Sequence, residues 1–379
     1  MLEGMRIAVI GAGIGGLTAA AGLSADGHDV VAFEQRGDAG ALGAGITLFG
    51  NAFAALDAIG LGDRVRAISS GEIAALRAGQ RSPDGRWLVT LPSSAVATLR
   101  SLHRADLHRA LAEAVPTGAL RLGQAATVRA DGAPDVETAD GAESFDLVVT
   151  ADGIRSAARS RLGLDRGVRY AGYTAWRGVT TAPVAVPTEA GETWGRGERF
   201  GIVPLPDGRV YWFATATTEA GGRSDDERDA VLTRFGHWHP PIRACVEATE
   251  SRAVLRHDIH NLAQLPATFI RGRTVLLGDA AHAMTPDLGQ GAGQAIEDAA
   301  TLTVLLRHGD VERALARYDA LRRARTAPIW RRSHLMGRVG QLASPIGAGL
   351  RDALLRATPG AAMGRPAVAM QRWEPPRAE

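Results

Sequence analysis

The sequence predicts an α/β fold, in which a parallel-sheet dinucleotide-binding domain is interleaved with a smaller β-sheet domain and followed by C-terminal helices. Three observations predict it. A short apolar run, Arg6–Ile10, leads into a glycine cluster and then an apolar helical stretch, the start of a β-α-β unit. Two later apolar runs, residues 145–151 and 273–277, end at Asp152-Gly153 and Gly278-Asp279. Between them, from Tyr173 to about Ile270, the texture is mostly β-like.

The elements follow in order. Residues 17–23 read as helix, and residues 29–33 form a second apolar strand ending at Glu34. Residues 52–59 have helical spacing and stop at Gly60. Residues 71–91 carry hairpin signals, with Pro83-Asp84-Gly85 as the turn. Residues 104–115 return to helix. In the β-like middle, residues 174–181, 200–205 and 209–217 are strands, the last two joined by Pro206-Asp207-Gly208, and residues 228–235 are a helix beside them. A long helix begins near Gly291 and continues past Leu306. Residues 312–356 are arginine-rich and helical in pattern. Such a helix can bind anionic lipid or a protein partner, although a solvated face is the plainer expectation.

Composition removes several chemistries. The 379 residues are 45% hydrophobic and 22% charged, with a formal net charge of +2, which suits a globular protein and not a nucleic-acid binder. There is no lysine, so all 43 basic residues are arginine. A Walker-type phosphate loop, a pyridoxal Schiff base and a catalytic lysine are therefore excluded. Cys245 is the only cysteine, which rules out an intrachain disulfide and a cysteine-built metal site and reads as buried packing. No apolar run reaches the roughly 18 residues of a spanning helix. Residues 6–23 come closest but lack a basic leader and a cleavage site, so the expected location is the cytoplasm.

The chemistry-bearing motifs are three. In Gly11-Ala12-Gly13-Ile14-Gly15-Gly16, the first glycine allows a tight turn out of the strand. Gly13 lets the backbone approach a pyrophosphate, and Gly16 permits close packing of helix on sheet. The helix N-terminus then offers free N–H groups to the phosphates. Glu34, about 20 residues on, is placed to bind ribose hydroxyls, which favours FAD or NAD over NADP at this site. The second motif ends a strand at Asp152-Gly153, with Ser156 placed to cap the following turn. The third runs through Gly278-Asp279-Ala280-Ala281-His282 to Pro286-Asp287-Leu288-Gly289-Gln290-Gly291-Ala292-Gly293, where a strand presents a carboxylate and alternate glycines bare the backbone before a helix.

In this order the motifs resemble the FAD-dependent class A flavoprotein monooxygenases, the aromatic-ring hydroxylase type that includes the para-hydroxybenzoate, salicylate and urate hydroxylases. The likeness runs from Arg6 to roughly Arg325, and Gly43-Ala44-Gly45-Ile46, Asn51-Ala52 and Arg104 within His103-Arg104-Ala105-Asp106-Leu107 add to it. The resemblance implies a Rossmann-like FAD-binding domain (residues 1–72, 98–170 and 271–325), a β-sheet substrate domain (73–97 and 171–270) and a C-terminal helical segment (326–379). It implies that Gly11, Gly13 and Gly16 hold the pyrophosphate of FAD, Glu34 the adenosine ribose, and Arg36 the adenine edge. Gly45 belongs to the same site. Arg104 would lie near the pyrophosphate and ribityl chain, Asp279 in the ribityl or pyrophosphate region, and Gly289 and Gly291 beside the isoalloxazine. Asp152-Gly153 would serve both FAD and NAD(P)H. NADH or NADPH would reduce the flavin, and O₂ would yield a C4a-hydroperoxide that hydroxylates a small aromatic or heteroaromatic substrate.

Arg199, Tyr211 and Asp287 match positions that contact substrate in the urate hydroxylases. Arg199 would hold an anionic oxygen, and Asp287 or Tyr211 would accept a substrate proton. The pair His257/His260 has a helical spacing but no third ligand nearby, and His237/His239 falls before Pro240-Pro241, where a helix is not expected, so no metal is expected. His282 reads as structural. A flavin-dependent epoxidase, a non-oxygenating flavin oxidoreductase and a non-catalytic nucleotide-binding module are the alternatives. The expected state is a monomer or homodimer.

Overall fold

The computed structural model describes residues 4–38, 44–186, 189–307 and 310–377; Gly43, part of the Gly43–Ile46 motif, lies outside them. A six-stranded sheet is assembled from distant segments, in the order Ile270–Arg271, Thr274–Leu276, Leu147–Thr150, Arg6–Ile10, Asp29–Glu34 and Leu120–Leu122. All neighbours are parallel except the edge pair Ile270–Arg271 and Thr274–Leu276. Ile7, Val9, Leu147, Val149, Val275 and Leu276 are sealed in one core with Leu17, Leu23, Ile296 and Leu302 of the flanking helices Ile14–Ala25 and Gly291–Leu306. This is why the strands read as continuous apolar runs: parallel strands covered on both faces have no solvent side.

The second sheet has seven strands, in the order Leu255–Leu262, Val168–Val179, Val210–Thr217, Glu198–Pro204, Glu189–Trp194, Arg77–Arg81 and Trp87–Thr90. Its two faces follow from the period of two along each strand. Trp176, Phe200, Trp212 and Ala214 turn to one side, where they pack with Phe235, Trp238, Ile242 and Cys245 from the short helices Glu227–Phe235 and Ile242–Glu247. Arg177, Arg199, Tyr211 and Phe213 alternate with them and turn to the other side.

The 71–91 hairpin forms as expected, with Ser82 N–H donating to the Arg86 carbonyl at 2.9 Å. His257 and His260 lie on the strand Leu255–Leu262, so their spacing is that of a strand and not of a helix turn. Among the described residues no group of His, Cys, Asp and Glu is placed to hold a metal. The helix from Gly291 ends at Leu306. The arginine-rich stretch is a 30-residue helix, Val311–Gly340, which passes unbroken through residue 325 and is followed by Pro345–Ala357 and Gly360–Met370.

Candidate active site

Three parallel neighbours bring the three motifs together. Arg6–Ile10 pairs with Leu147–Thr150, which pairs with Thr274–Leu276, so the loops that leave Ile10, Thr150 and Leu276 emerge side by side at one sheet edge. That edge is where open α/β sheets bind ligands. Gly11 turns out of its strand with φ of 100°, and a Cβ on it would meet the Ala151 carbonyl oxygen at 2.5 Å. A Cβ on Gly16 would lie 1.8 Å from the Gly11 carbonyl oxygen, so helix and turn touch through backbone alone. Gly13 is exposed and has open space where its Cβ would be.

Glu34 is buried and already braces the loop. Its Oε2 accepts from Ala12 N–H at 3.0 Å and its Oε1 from Arg36 N–H at 3.0 Å. Burial pushes its pKa up, but these backbone donors and the Arg36 guanidinium outweigh it and hold the carboxyl below its ordinary value. In the second loop Ser156 Oγ caps its turn by accepting from Arg159 N–H at 2.8 Å, as the sequence suggests. Asp152 accepts from Ala158 N–H at 3.0 Å through Oδ2, while its buried Oδ1 has no partner.

Asp279 and Arg104 stand in an open cleft. Both residues are exposed, yet the walls around them shield their charges from bulk water. Burial raises the Asp279 pKa, with His282 and Arg104 pulling it back. The same desolvation lowers the Arg104 pKa, and the like charge of Arg177 lowers it further. Arg177 was not legible as a site residue. It sits on the strand Val168–Val179, cross-strand from Phe213, and neither it nor Arg104 has a hydrogen bond or ion pair from its side chain among the described residues. Two neighbouring guanidiniums without a hydrogen bond or ion pair among the described residues, with an orphaned acceptor on Asp152 and a glycine-bared helix N-terminus at the same sheet edge, fit a diphosphate carried by hydroxylated sugars. FAD satisfies this donor set.

The third loop is held from behind by a buried ionic network. Asp298 Oδ2 accepts from Gly278 N–H at 2.8 Å and lies 2.6 Å from His282 Nε2, and its Oδ1 accepts from Arg322 at 2.5 Å. Arg322 also donates to Glu297 at 2.6 Å and to Gln294. Asn51 donates to both Glu297 and Gln290, which ties the start of the flavin loop helix to the first domain core. His282 is structural, as expected.

Arg199 and Asp287 come together, but sealed. Arg199 Nη2 lies 2.5 Å from Asp287 Oδ1, and the two side chains are 2% and 0% exposed. Tyr173, which sequence reasoning missed, donates its hydroxyl to Asp287 Oδ2 at 2.8 Å. The long C-terminal helix covers the pair through glycines: a Cβ on Gly337 would meet Asp287 Oδ2 at 2.5 Å, and one on Gly340 would meet Arg199 at 3.0 Å. Asp287 therefore has both oxygens engaged, and Arg199 is enclosed, with only its buried Nε left without a partner among the described residues. Burial opposes the Arg199 charge, but Glu192 and Asp287 overcome it and hold it protonated. Tyr211 is not part of this cluster. It lies cross-strand from Val179 and Val203 and packs against Gly45, where a Cβ would meet its ring at 2.4 Å.

The family of FAD binding domains matches residues 5–333. The chain belongs to that family. It is 38% identical to the aurachin C monooxygenase/isomerase of Stigmatella aurantiaca, over 94% of this chain and 95% of that protein. It is 36% identical to the 3-amino-4-hydroxybenzoate 2-monooxygenase of Streptomyces cremeus, over 93% and 92%. With the FAD-dependent urate hydroxylase of Klebsiella pneumoniae it shares 33% identity, over 84% and 86%. A solved structure of Klebsiella pneumoniae HpxO with FAD and uric acid superposes with a TM-score of 0.87 at 27% identity, covering 97% of this chain and 96% of that one. The resemblance to class A flavoprotein monooxygenases is borne out, as are FAD as cofactor and monooxygenase as the enzyme class.

Proposed function

We propose that the protein hydroxylates a small aromatic or heteroaromatic substrate held between the flavin loop and the seven-stranded sheet. When bound, FAD supplies reduction by NADH or NADPH and activation of O₂ for transfer of one oxygen atom. The observation that carries the reading is the cleft itself: Arg104 and Asp279 lie by Arg177 and Tyr211, and the loop bearing Asp287 meets Tyr173 and Arg199 on the same side of the sheet. Relatives named for 3-amino-4-hydroxybenzoate and urate support a ring substrate.

The roles follow from the geometry. Gly11, Gly13 and Gly16 cradle the pyrophosphate, with Arg104 and Arg177 balancing its charge. Glu34 takes the ribose, Arg36 the adenine edge, and Gly45 lets Tyr211 approach. Asp152 offers its free oxygen to cofactor or reductant, Asp279 binds the ribityl region, and the backbone of Gly289 and Gly291 lies against the isoalloxazine. Arg199 pairs with Asp287, and the Tyr173 hydroxyl donates to the same carboxylate, so a substrate proton reaches Asp287 through Tyr173. Tyr211 and Phe213 roof the ring and exclude water. The parallel sheet with its helices serves as the cofactor domain and the seven-stranded sheet as the substrate domain. We place the enzyme in the cytoplasm, as a monomer or homodimer. The test is substrate-stimulated NADH and NADPH oxidation across a panel of ring compounds in labelled O₂. Label in a hydroxylated product supports the reading; a protein that gains no flavin from added FAD, or consumes NAD(P)H without labelling any product, overturns it.

A further inference from the structure

The charge of this chain is strongly polarised. Residues 320–379 contain eleven arginines and three acidic residues, a net of +8, whereas residues 1–319 carry thirty-two arginines against thirty-eight acids, a net of −6. Asymmetry of this kind marks a surface that meets an anionic partner. Arg322 and Arg351 are buried and used internally. Arg331, Arg332, Arg338 and Arg356 are exposed, and among the described residues none of the four has a hydrogen bond or ion pair.

The same region exposes large aliphatic side chains. Ile346 is 86% exposed, Leu350 61% and Leu354 59%. They recur every four residues on the helix Pro345–Ala357 and so form one stripe. Leu335, 59% exposed, stands between Arg332 and Arg338 on the preceding helix. The stripe is presented by a fixed element. Arg351, at the buried edge of the stripe, donates to the carbonyls of Gly340 and Gly195 at 3.2 and 2.9 Å and stacks over Trp194, which fastens the helix to the seven-stranded sheet.

We propose that these C-terminal helices dock the protein on an anionic lipid bilayer, lying in the interface without crossing it. The two features together select the occupant. A second copy of this chain would bring free guanidiniums against free guanidiniums. A nucleic acid would pair the arginines but leave the aliphatic stripe in water. A bilayer surface takes both, with aliphatic side chains at the acyl boundary and guanidiniums on the phosphates. No helix of the described residues is long and apolar enough to span.

The test is flotation of the FAD-loaded protein with vesicles of phosphatidylglycerol and phosphatidylcholine, beside vesicles of phosphatidylcholine alone. The protein floats with the first, stays in solution with the second, and is released by high salt. Ile346→Ser/Leu350→Ser/Leu354→Ser lowers the partition about tenfold or more, with the flavin spectrum and melting temperature unchanged. Arg331→Gln/Arg332→Gln/Arg338→Gln/Arg356→Gln abolishes the preference for the anionic vesicles. Absence of binding to anionic vesicles overturns the proposal. So does a dimer in solution that the serine variant dissociates, because the stripe is then covered by a second copy.

Discussion

Arg322→Met is the perturbation whose consequences are best determined by the geometry. Arg322 is 2% exposed and bridges two carboxylates that are both fully buried. Methionine keeps the aliphatic bulk and removes the charge. Glu297 retains Arg325 at 3.0 Å and the amide of Asn51, while Asp298 retains Gly278 N–H and His282. Removing one partner of a buried pair costs roughly 3–5 kcal/mol, and these surviving donors place the expected loss near the lower end. For a chain of this length, about 2 cal/mol/K per residue of unfolding entropy converts that to a fall in Tm of roughly 4 °C. The sign with pH follows from the carboxyls. Burial raises the pKa values of Glu297 and Asp298, but Arg322 and their other partners, His282 foremost for Asp298, outweigh it and hold both below the ordinary 4.5 and 3.8. Stability from these groups is therefore full above about pH 4.5 and lost as pH falls through their folded values. The gap between wild type and Arg322→Met narrows over that fall, because protonating the carboxyls removes the Arg322 ion pairs that the variant already lacks, while the remaining donors are common to both proteins. Differential scanning fluorimetry from pH 8 down to about 2.5 reads both effects. A variant within about 1 °C of wild type at pH 7, or a gap that widens in acid, refutes the reasoning.

Three further outcomes follow from close contacts and burial. Gly337→Ala drives a methyl group to within 2.5 Å of Asp287 Oδ2, so substrate turnover falls by about tenfold or more while FAD affinity is retained; equal loss of both in steady-state kinetics and flavin titration contradicts this. Burial pushes the Cys245 thiol up to about 12, so a thiol reagent leaves the native protein unmodified at pH 8 and labels one thiol only after unfolding. Arg177→Gln weakens FAD binding by about tenfold without lowering the Tm of the cofactor-free protein; an unchanged dissociation constant removes Arg177 from the cofactor site.

The fold was largely legible because its signals are local. The strands Arg6–Ile10, Leu147–Thr150 and Thr274–Leu276 are apolar runs ending at glycine or acid–glycine turns, and each is a strand of the parallel sheet. The strand Glu189–Trp194 was not legible: its glycine and two acids suppress the apolar pattern, and besides its hairpin with Glu198–Pro204 it pairs with Arg77–Arg81, more than a hundred residues away. The same distinction holds at the site. Gly13 and Asp279 announce themselves through motif context. Tyr173 and Arg177 are single polar residues in a β-rich stretch, and only the sheet register turns them toward Asp287 and Arg104. Arg199 and Asp287 were legible as candidate site residues, but not as a closed ion pair, since the glycines that cover them, Gly337 and Gly340, lie far downstream in a helix that reads as solvated.

The central claim is that the three loops build one FAD site with Gly13 at the phosphates. Gly13 has φ of −74°, which any residue adopts, and its Cβ position is open space. The dissociation constant of FAD from Gly13→Ala, measured by flavin fluorescence beside the Tm of the cofactor-free protein, tests it most directly. The expected result is an unchanged Tm and an affinity lowered by about tenfold or more, because the added methyl enters phosphate space alone. FAD bound as tightly as by wild type would contradict it.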